Sequence, residues 1–245
     1  MAEPHPLTPM LRKLEKWTRL GEADREAVLG LPHVLRTLDA HKYIIREGDR
    51  AENSCLLRSG FAYRHKIVGD GSRQILSIHM AGDIVDLQNS LLMTADHSVQ
   101  ALSTVEIALI PRGSIQALAA AHPAVGMAMW LDTLIDGSIF REWIANVGRR
   151  DARTRVAHLL CEFALRQEDA GLGERGRYEL PMTQEQLADC TGLTSVHVNR
   201  TLKSLERDGL IRRNKRSVTI GDWQRLGDAG DFNPQYLHLE IAAEA

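Results

Sequence analysis

Residues 183–205 read TQEQLADCTGLTSVHVNRTLKSL, a stretch with the features of two short helices joined by a tight turn. Thr183, followed three residues later by Gln186, forms a capping box, in which each side chain bonds the backbone amide of the other residue. Gly192 supplies the turn, because glycine accepts the left-handed backbone that ends a helix. Thr194 can cap the second helix. The stretch therefore predicts a helix-turn-helix.

Residues 206–220 extend this motif toward a second feature of DNA-binding domains. The basic run RRNKR at 212–216 precedes the strand-like Ser217–Ile220, which predicts a β-wing with a basic tip. Residues 183–216 carry seven Lys/Arg against four Asp/Glu, so this part is positive although the whole chain has a formal net charge of -2. A small basic module on an acidic remainder suits nucleic-acid binding. An ordinary helical pair with a solvated charged hairpin is the alternative.

The start of the second helix would face base edges in the major groove. Arg200 has the fork that matches guanine O6 and N7, Asn199 can pair with adenine, and Val196 can contact a thymine methyl group. Ser195 is the fourth residue that we expect at the bases. Phosphate contacts need charge and donors more than detailed geometry. The residues expected to contact phosphate are Thr183, Gln184, Thr194, His197, Lys203, Lys215 and Arg216.

The chain changes texture along its length, which predicts its domains. From Val34 to Ile110, short β-rich runs alternate with turn signals such as Gly69-Asp70-Gly71, a pattern typical of a β-barrel or β-roll. We expect an α+β fold with an N-terminal β-roll, a long dimerisation helix and a C-terminal winged helix-turn-helix. The expected boundaries are 1–30 for an N-terminal helical segment, 31–120 for the roll, 121–150 for the dimerisation helix, 151–225 for the winged domain and 226–245 for a tail.

Residues 124–150 contain neither proline nor an obvious break, so they predict one long helix. Its apolar residues form more than one stripe, and a helix that buries two faces usually packs on its own domain with one and on a partner with the other. A helix buried entirely within its own subunit is the alternative. The residues expected in the dimer contact are Met127, Leu131, Leu134 and Ile135, while Ile139 and Trp143 continue a second stripe with Ile135.

Composition excludes several other classes of protein. Met1–Pro9 has neither a basic segment nor an apolar core, so we expect no signal peptide, and no apolar run approaches about 18 residues, so we expect no membrane span. The cytoplasm is the expected location. The three cysteines form no CxxC pattern, and His65, His79 and His97 lack close ligand spacing. We therefore expect no metal, no cofactor and no enzymatic activity.

The order of β-roll, long helix and winged helix-turn-helix resembles the Crp/Fnr family of bacterial transcription regulators. The resemblance covers about Leu31 to Trp223 and rests on IREGD at 45–49, AGD at 81–83 and GLTSVHVNRTL at 192–202. It implies a homodimer whose two recognition helices enter successive major grooves of a near-palindromic operator, about 34 Å apart. It also implies contact with RNA polymerase and an effector that binds the roll and reorients the DNA-binding domains.

Departures from the family pattern narrow this interpretation. Members that bind cyclic nucleotides hold ribose and phosphate with a Gly-Glu-Leu segment and an Arg-Ser pair, where this chain has Asp86-Leu87-Gln88 and His97-Ser98. Loss of the arginine removes a bidentate phosphate ligand, so a cyclic nucleotide is not expected. The iron-sulfur members need an N-terminal cysteine cluster, which is absent. Val196 stands where the recognition helix of the family commonly has a glutamate, so we expect an operator that differs from the family's best-known half-site. The effector stays unidentified.

Three further interpretations stay open. The regulator can be independent of any effector, with a roll that serves only dimerisation and polymerase contact. A cupin-like metal enzyme is a weaker alternative, because converging His and carboxylate ligands are missing. Cys190 lies near the expected DNA surface, where oxidation would add bulk or charge and weaken binding, although a packing role is favoured.

Overall fold

The computed structural model describes residues 5–239, so the first four residues and the last six, which end the expected tail, lie outside the described residues. The helices are α1 (Thr8–Glu15), α2 (Glu22–Leu29), α3 (Arg112–Ala121), α4 (Pro123–Arg149), α5 (Ala152–Asp169), α6 (Gln184–Thr191), α7 (Ser195–Arg207) and α8 (Trp223–Gly230). The strands are β1 (Val34–Leu38), β2 (Tyr43–Ile45), β3 (Asn53–Ser59), β4 (Ala62–Ile67), β5 (Arg73–His79), β6 (Ser98–Ala101), β7 (Val105–Pro111), β8 (Arg177–Glu179), β9 (Ile211–Asn214) and β10 (Ser217–Ile220). Short 3-10 helices cover Leu87–Ser90 and Pro234–Leu237.

Strands β1 to β7 form the predicted roll from two sheets. One sheet has the order β1-β7-β3 and the other has the order β2-β6-β4-β5. The core draws buried residues from both sheets, among them Leu57 of β3, Val99 of β6 and Ile107 of β7. Alternation along each strand sends these apolar side chains to the same face, where their burial removes apolar surface from water. The predicted β-roll is confirmed.

Helix α4 has 27 residues and begins at Pro123, a residue well suited to a first helical position. The stripe of Ile135, Ile139 and Trp143 is buried, as expected for the face that packs within its own subunit. Met127 and Leu134 of the other stripe are exposed, so the two predicted faces differ in environment. Ile135 is only 7% exposed, and its inclusion among the dimer-contact residues needs revision.

The C-terminal part contains the predicted winged helix-turn-helix, with two elements that the sequence did not reveal. Strand β8 pairs with β10 through Tyr178 opposite Val218, which makes a three-stranded wing sheet. Helix α8 follows the wing and is capped by Asp222, whose side chain accepts from the Arg225 amide. Both elements depend on pairing or packing with distant segments, which local sequence patterns do not encode.

The described chain divides into two compact units. The first comprises residues 5–66 and 77–137 with 238–239, and the second comprises 67–76 and 138–237. Within residues 5–239 no single helix is long and apolar enough to cross a membrane. Helices α3 and α4 taken together reach that length and apolar composition, but the pair is bent by 119°.

Candidate nucleic-acid interface

The helix-turn-helix is fixed by the local bonds that the sequence predicts. The Thr183 Oγ1 accepts from the Gln186 amide at 3.1 Å, and the Gln186 side chain accepts from the Thr183 amide at 2.8 Å, so the capping box is complete. Gly192 ends α6 with φ +63 and donates its amide to the Ala188 carbonyl. Thr194 then caps α7 by accepting from the His197 amide at 3.3 Å.

Arg155 of α5 holds this turn in place, a role that the sequence did not indicate. Its Nη1 donates to the Thr191 carbonyl at 3.0 Å, and its Nε donates to the Arg150 carbonyl at 2.7 Å. These bonds satisfy carbonyls at the C-terminal ends of α4 and α6, where helices leave acceptors without an internal partner. One side chain therefore connects the end of the long helix to the turn before the recognition helix.

Helix α7 has the two faces expected of a recognition helix. Val198, Leu202 and Leu205 are fully buried, which confirms the core side of the predicted motif. Val196 is 66% exposed, an unusual placement for an apolar side chain that nothing in the same unit covers. The residues on the open side at the helix start and along the expected phosphate path, all exposed, are Ser195, Val196, His197, Arg200, Thr194, Lys203, Thr183 and Gln184.

Asn199 differs from its neighbours, because it is half-buried and has a partner. Its Nδ2 donates to Oε1 of Gln184 at 2.9 Å, so the recognition helix is connected to the first residue of α6. The contact joins a residue expected at a base with a residue expected at a phosphate. The sequence predicts a DNA contact for each residue but gives no sign of the bond between them.

The wing presents part of its basic run to solvent. Strands β9 and β10 pair from Asn214 opposite Ser217 onward, and Lys215 occupies the turn with φ +54. Lys215 and Arg216 are exposed at this tip. Arg213 instead donates to Glu206 at 2.8 Å, and this bond holds the pKa of the Glu206 carboxyl below its usual value. Within the basic run, Arg213 therefore has a structural role, whereas Lys215 and Arg216 face solvent at the tip of the wing.

A buried polar network connects α5 to α4 and to the segment that follows α8. Glu162 of α5 accepts from the indole Nε1 of Trp143 at 2.9 Å and from the hydroxyl of Tyr236 at 2.8 Å. His158 lies beside them, with Nε2 3.1 Å from the Tyr236 hydroxyl and Nδ1 3.1 Å from the Gly230 carbonyl. Burial lowers the pKa of His158. The described part of the expected tail therefore packs against α5 through Gly230 and Tyr236.

The residues at the places expected to hold ribose and phosphate have partners within the roll. At the places where the related nucleotide-binding proteins hold ribose and phosphate, Asp86 is buried and accepts from the Cys55 amide at 2.7 Å, and His97 donates to Asp96 at 2.6 Å. Burial raises the pKa of Asp86 to about 7, and its carboxylate, where charged, would repel an anionic phosphate. The buried Arg64 donates to Asp136 at 2.9 Å and to the Val85 carbonyl at 2.7 Å.

The cysteines are buried and have raised pKa values. The Cys190 thiol lies 3.9 Å from Sδ of Met182, and burial raises its pKa well above the usual value. Burial likewise raises the pKa of Cys161 to about 12 and that of Cys55 well above normal. Because oxidation starts from an accessible thiolate, this environment favours the packing role of Cys190 over a redox switch. Among residues 5–239 no three His, Cys, Asp or Glu side chains group as a metal site.

Comparisons with known proteins agree with this architecture. A family model described as a Crp-like helix-turn-helix domain matches residues 154–229, and one described as a cyclic nucleotide-binding domain matches residues 35–122. The transcriptional activator protein FnrL of Cereibacter sphaeroides is 30% identical over 201 residues, covering 80% of each chain. The nitrogen fixation regulation protein FixK of Azorhizobium caulinodans is 29% identical, covering 82% of this chain and 79% of its own. The solved structure of FixK2 from Bradyrhizobium japonicum matches with a TM-score of 0.75 and 26% identity, over 81% of this chain and 98% of that one.

Proposed function

This chain belongs to the Crp/Fnr family of DNA-binding transcription regulators, and we propose that it acts as a homodimer on a near-palindromic operator. The observation that carries the proposal is the exposed side of α7, to which the start of α6 is bonded through Gln184 and Asn199. Polar and apolar groups suited to base edges are exposed on α7, and donors suited to phosphate are exposed on α6, on α7 and at the wing tip of the same unit.

We assign the reading of bases to Ser195, Val196, Asn199 and Arg200. Arg200 is exposed and can present both guanidinium donors to guanine O6 and N7, which contributes about 1–3 kcal/mol of discrimination. Val196 offers a branched apolar surface for a thymine methyl group. Phosphate contacts are assigned to Thr183, Gln184, Thr194, His197, Lys203, Lys215 and Arg216, because these exposed residues carry hydrogen-bond donors or positive charge.

The dimer proposal is supported by the exposed stripe of α4. Met127, Trp130, Leu134 and Ile144 are exposed apolar residues, with Trp130 at 60% and Ile144 at 72%. Their spacing of 3, 4 and 10 residues has the heptad phase of a coiled-coil seam, and Arg141 shares that phase. We therefore place Trp130 and Ile144 in the seam and remove the buried Ile135 from it.

A seam of this kind fits the expected operator geometry. Two parallel copies of α4 related by a two-fold axis would present two copies of α7 to successive major grooves, about 34 Å apart. Half-sites at that spacing, related by inverted symmetry, are the direct consequence. We expect the dimer to act in the cytoplasm, where its operator lies, to contact RNA polymerase there and to catalyse no reaction.

The role of the roll has two candidates. In the first, a small molecule other than a cyclic nucleotide binds the roll and shifts DNA affinity. In the second, the roll needs no effector. The guanidinium of Arg64 is already engaged by Asp136 and by the Val85 carbonyl, which argues against an anionic effector at this side chain. A buried cation that is paired inside the protein has no need of an anionic ligand. Operator affinity of the ligand-free chain separates the two candidates.

The proposed contacts are tested by titrating fluorescent operator duplexes, chosen by the wild-type chain from a randomised pool, with two variants. Arg200→Ala should weaken specific binding and relax the preference at one base pair of each half-site, because it removes a base contact. Lys215→Gln should weaken binding to all sequences alike and flatten its salt dependence, because it removes a phosphate contact. Unchanged affinity and preference in Arg200→Ala would contradict the docking of α7.

A further inference from the structure

The bond between Gln184 and Asn199 lies on the surface that we assign to DNA. Gln184 is the first residue of α6, and Asn199 faces it from the second turn of α7. The Asn199 Nδ2 donates to the Gln184 Oε1 at 2.9 Å, while both side chains stay accessible enough to meet a ligand.

The bond leaves Asn199 with a defined set of free groups. A side-chain amide has one carbonyl acceptor and two N–H donors, and Gln184 occupies one of the donors. The remaining N–H and the carbonyl oxygen are the pair that binds adenine N7 and N6 in a bidentate contact. An amide without such a partner rotates about a broad terminal torsion and can present either edge to DNA.

We propose that Gln184 is a positioning residue that determines specificity, because it fixes the amide of Asn199 in the orientation that reads adenine. This role rests on the proposed function, and it means that Gln184 influences base recognition through Asn199 without touching a base. Its acceptor orients Asn199, and its own Nε2 keeps two donors for a backbone phosphate. Gln184 would then bind a phosphate with its Nε2 and at the same time hold the Asn199 amide in its base-reading orientation.

A purely structural role for this bond makes a different prediction. Helices α6 and α7 are already held together by the buried Leu187, Val198 and Leu202. A single hydrogen bond between an exposed and a half-buried amide adds little to such packing. If the bond only braced the helices, its loss would change affinity for every DNA sequence by a similar factor.

The test uses the full chain and operator duplexes that carry each of the four base pairs at the position read by Asn199, identified as the preference lost in Asn199→Ala. The wild type should prefer one base pair by about 5- to 150-fold. Gln184→Met keeps the length of the side chain without an acceptor and should reduce this preference to less than about 3-fold. Gln184→Glu keeps an acceptor for Asn199, so it should retain the preference while its charge weakens binding to all duplexes.

Lys203→Met serves as the matched control, because loss of a phosphate contact should lower affinity uniformly and leave the preference intact. The inference is overturned if Gln184→Met retains the full preference, or if Gln184→Glu loses it to the same extent. It is also overturned if Asn199→Ala changes no preference while Arg200→Ala does, a result that leaves the proposed function standing. A wild-type chain without preference at any position would overturn the proposed function itself.

Discussion

Replacement of Gly192 by alanine tests the turn on which the recognition helix depends. Gly192 has φ +63 and ψ 35, a left-handed conformation that costs an L-residue about 1–2 kcal/mol. A Cβ at this position would lie 3.1 Å from Cγ1 of Val147 and 3.5 Å from Nη1 of Arg155. Since that Arg155 nitrogen also bonds the Thr191 carbonyl, the crowding adds to the backbone cost. We expect Gly192→Ala to destabilise the helix-turn-helix by about 2 kcal/mol.

Gly227→Ala provides a control with the opposite sign in the same unit. Gly227 lies inside α8, has no positive φ, and its added Cβ would meet nothing within 4 Å. Alanine at an unstrained helical position is favoured over glycine by about 0.5–1 kcal/mol. The same chemical change should therefore stabilise α8 and destabilise the turn.

Native-state hydrogen exchange measures both effects at the amides concerned. In Gly192→Ala the buried amides of α6 and α7, such as those of Leu202 and Leu205, should exchange about 30-fold faster than in the wild type. In Gly227→Ala they should exchange no faster. Unchanged protection in Gly192→Ala, or equal loss of protection in both variants, would refute the argument from turn geometry.

Four other perturbations follow from the described contacts. Burial raises the pKa of Asp86 to about 7, so the wild type loses stability as the pH rises from about 4 to 7. In urea titrations, Asp86→Asn should therefore stabilise the roll by up to about 4 kcal/mol at pH 8 and have no effect at pH 3. Burial lowers the pKa of His158, so the wild type should lose stability as the pH falls below 6.5, and His158→Gln should flatten that loss; equal slopes would contradict it. Trp130→Ala should weaken the dimer by about 2–4 kcal/mol in sedimentation equilibrium, because Trp130 is 60% exposed in the protomer, and an unchanged dimer constant would remove it from the seam. Lys215→Gln should reduce the magnitude of the negative slope of log affinity against log salt by about 0.9 per half-site, and an unchanged slope would place the wing away from phosphate.

The motif was predictable because its determinants are local. Thr183 and Gln186 bond each other across three residues, and Gly192 adopts the positive φ that its position in the sequence suggested. The buried positions Val198 and Leu202 follow from helical periodicity alone. Local sequence therefore determines both the fold of this segment and the face that it leaves open.

The missed features depend on distant partners. Tyr236 bonds Glu162 across 74 residues, so no local pattern in the C-terminal segment signals that it packs on α5. The sequence predicts Ile135 at a dimer contact, but the structure buries Ile135 and exposes Trp130, because the phase of an apolar helix does not show which face its own domain covers. The Gln184 to Asn199 bond required the crossing of two helices, which brings together residues 15 apart in the sequence.

Selection of bound duplexes from a randomised DNA pool by the purified, ligand-free chain shows whether a dimer reads DNA through α7. We expect enrichment of a two-fold-symmetric site whose half-sites are centred about 34 Å apart, one helical turn of DNA. Symmetric enrichment without a ligand would also favour the effector-independent roll. Enrichment of a single, unsymmetric half-site by a folded chain, or of no sequence at all with or without candidate small molecules, would contradict a dimer that reads DNA through α7.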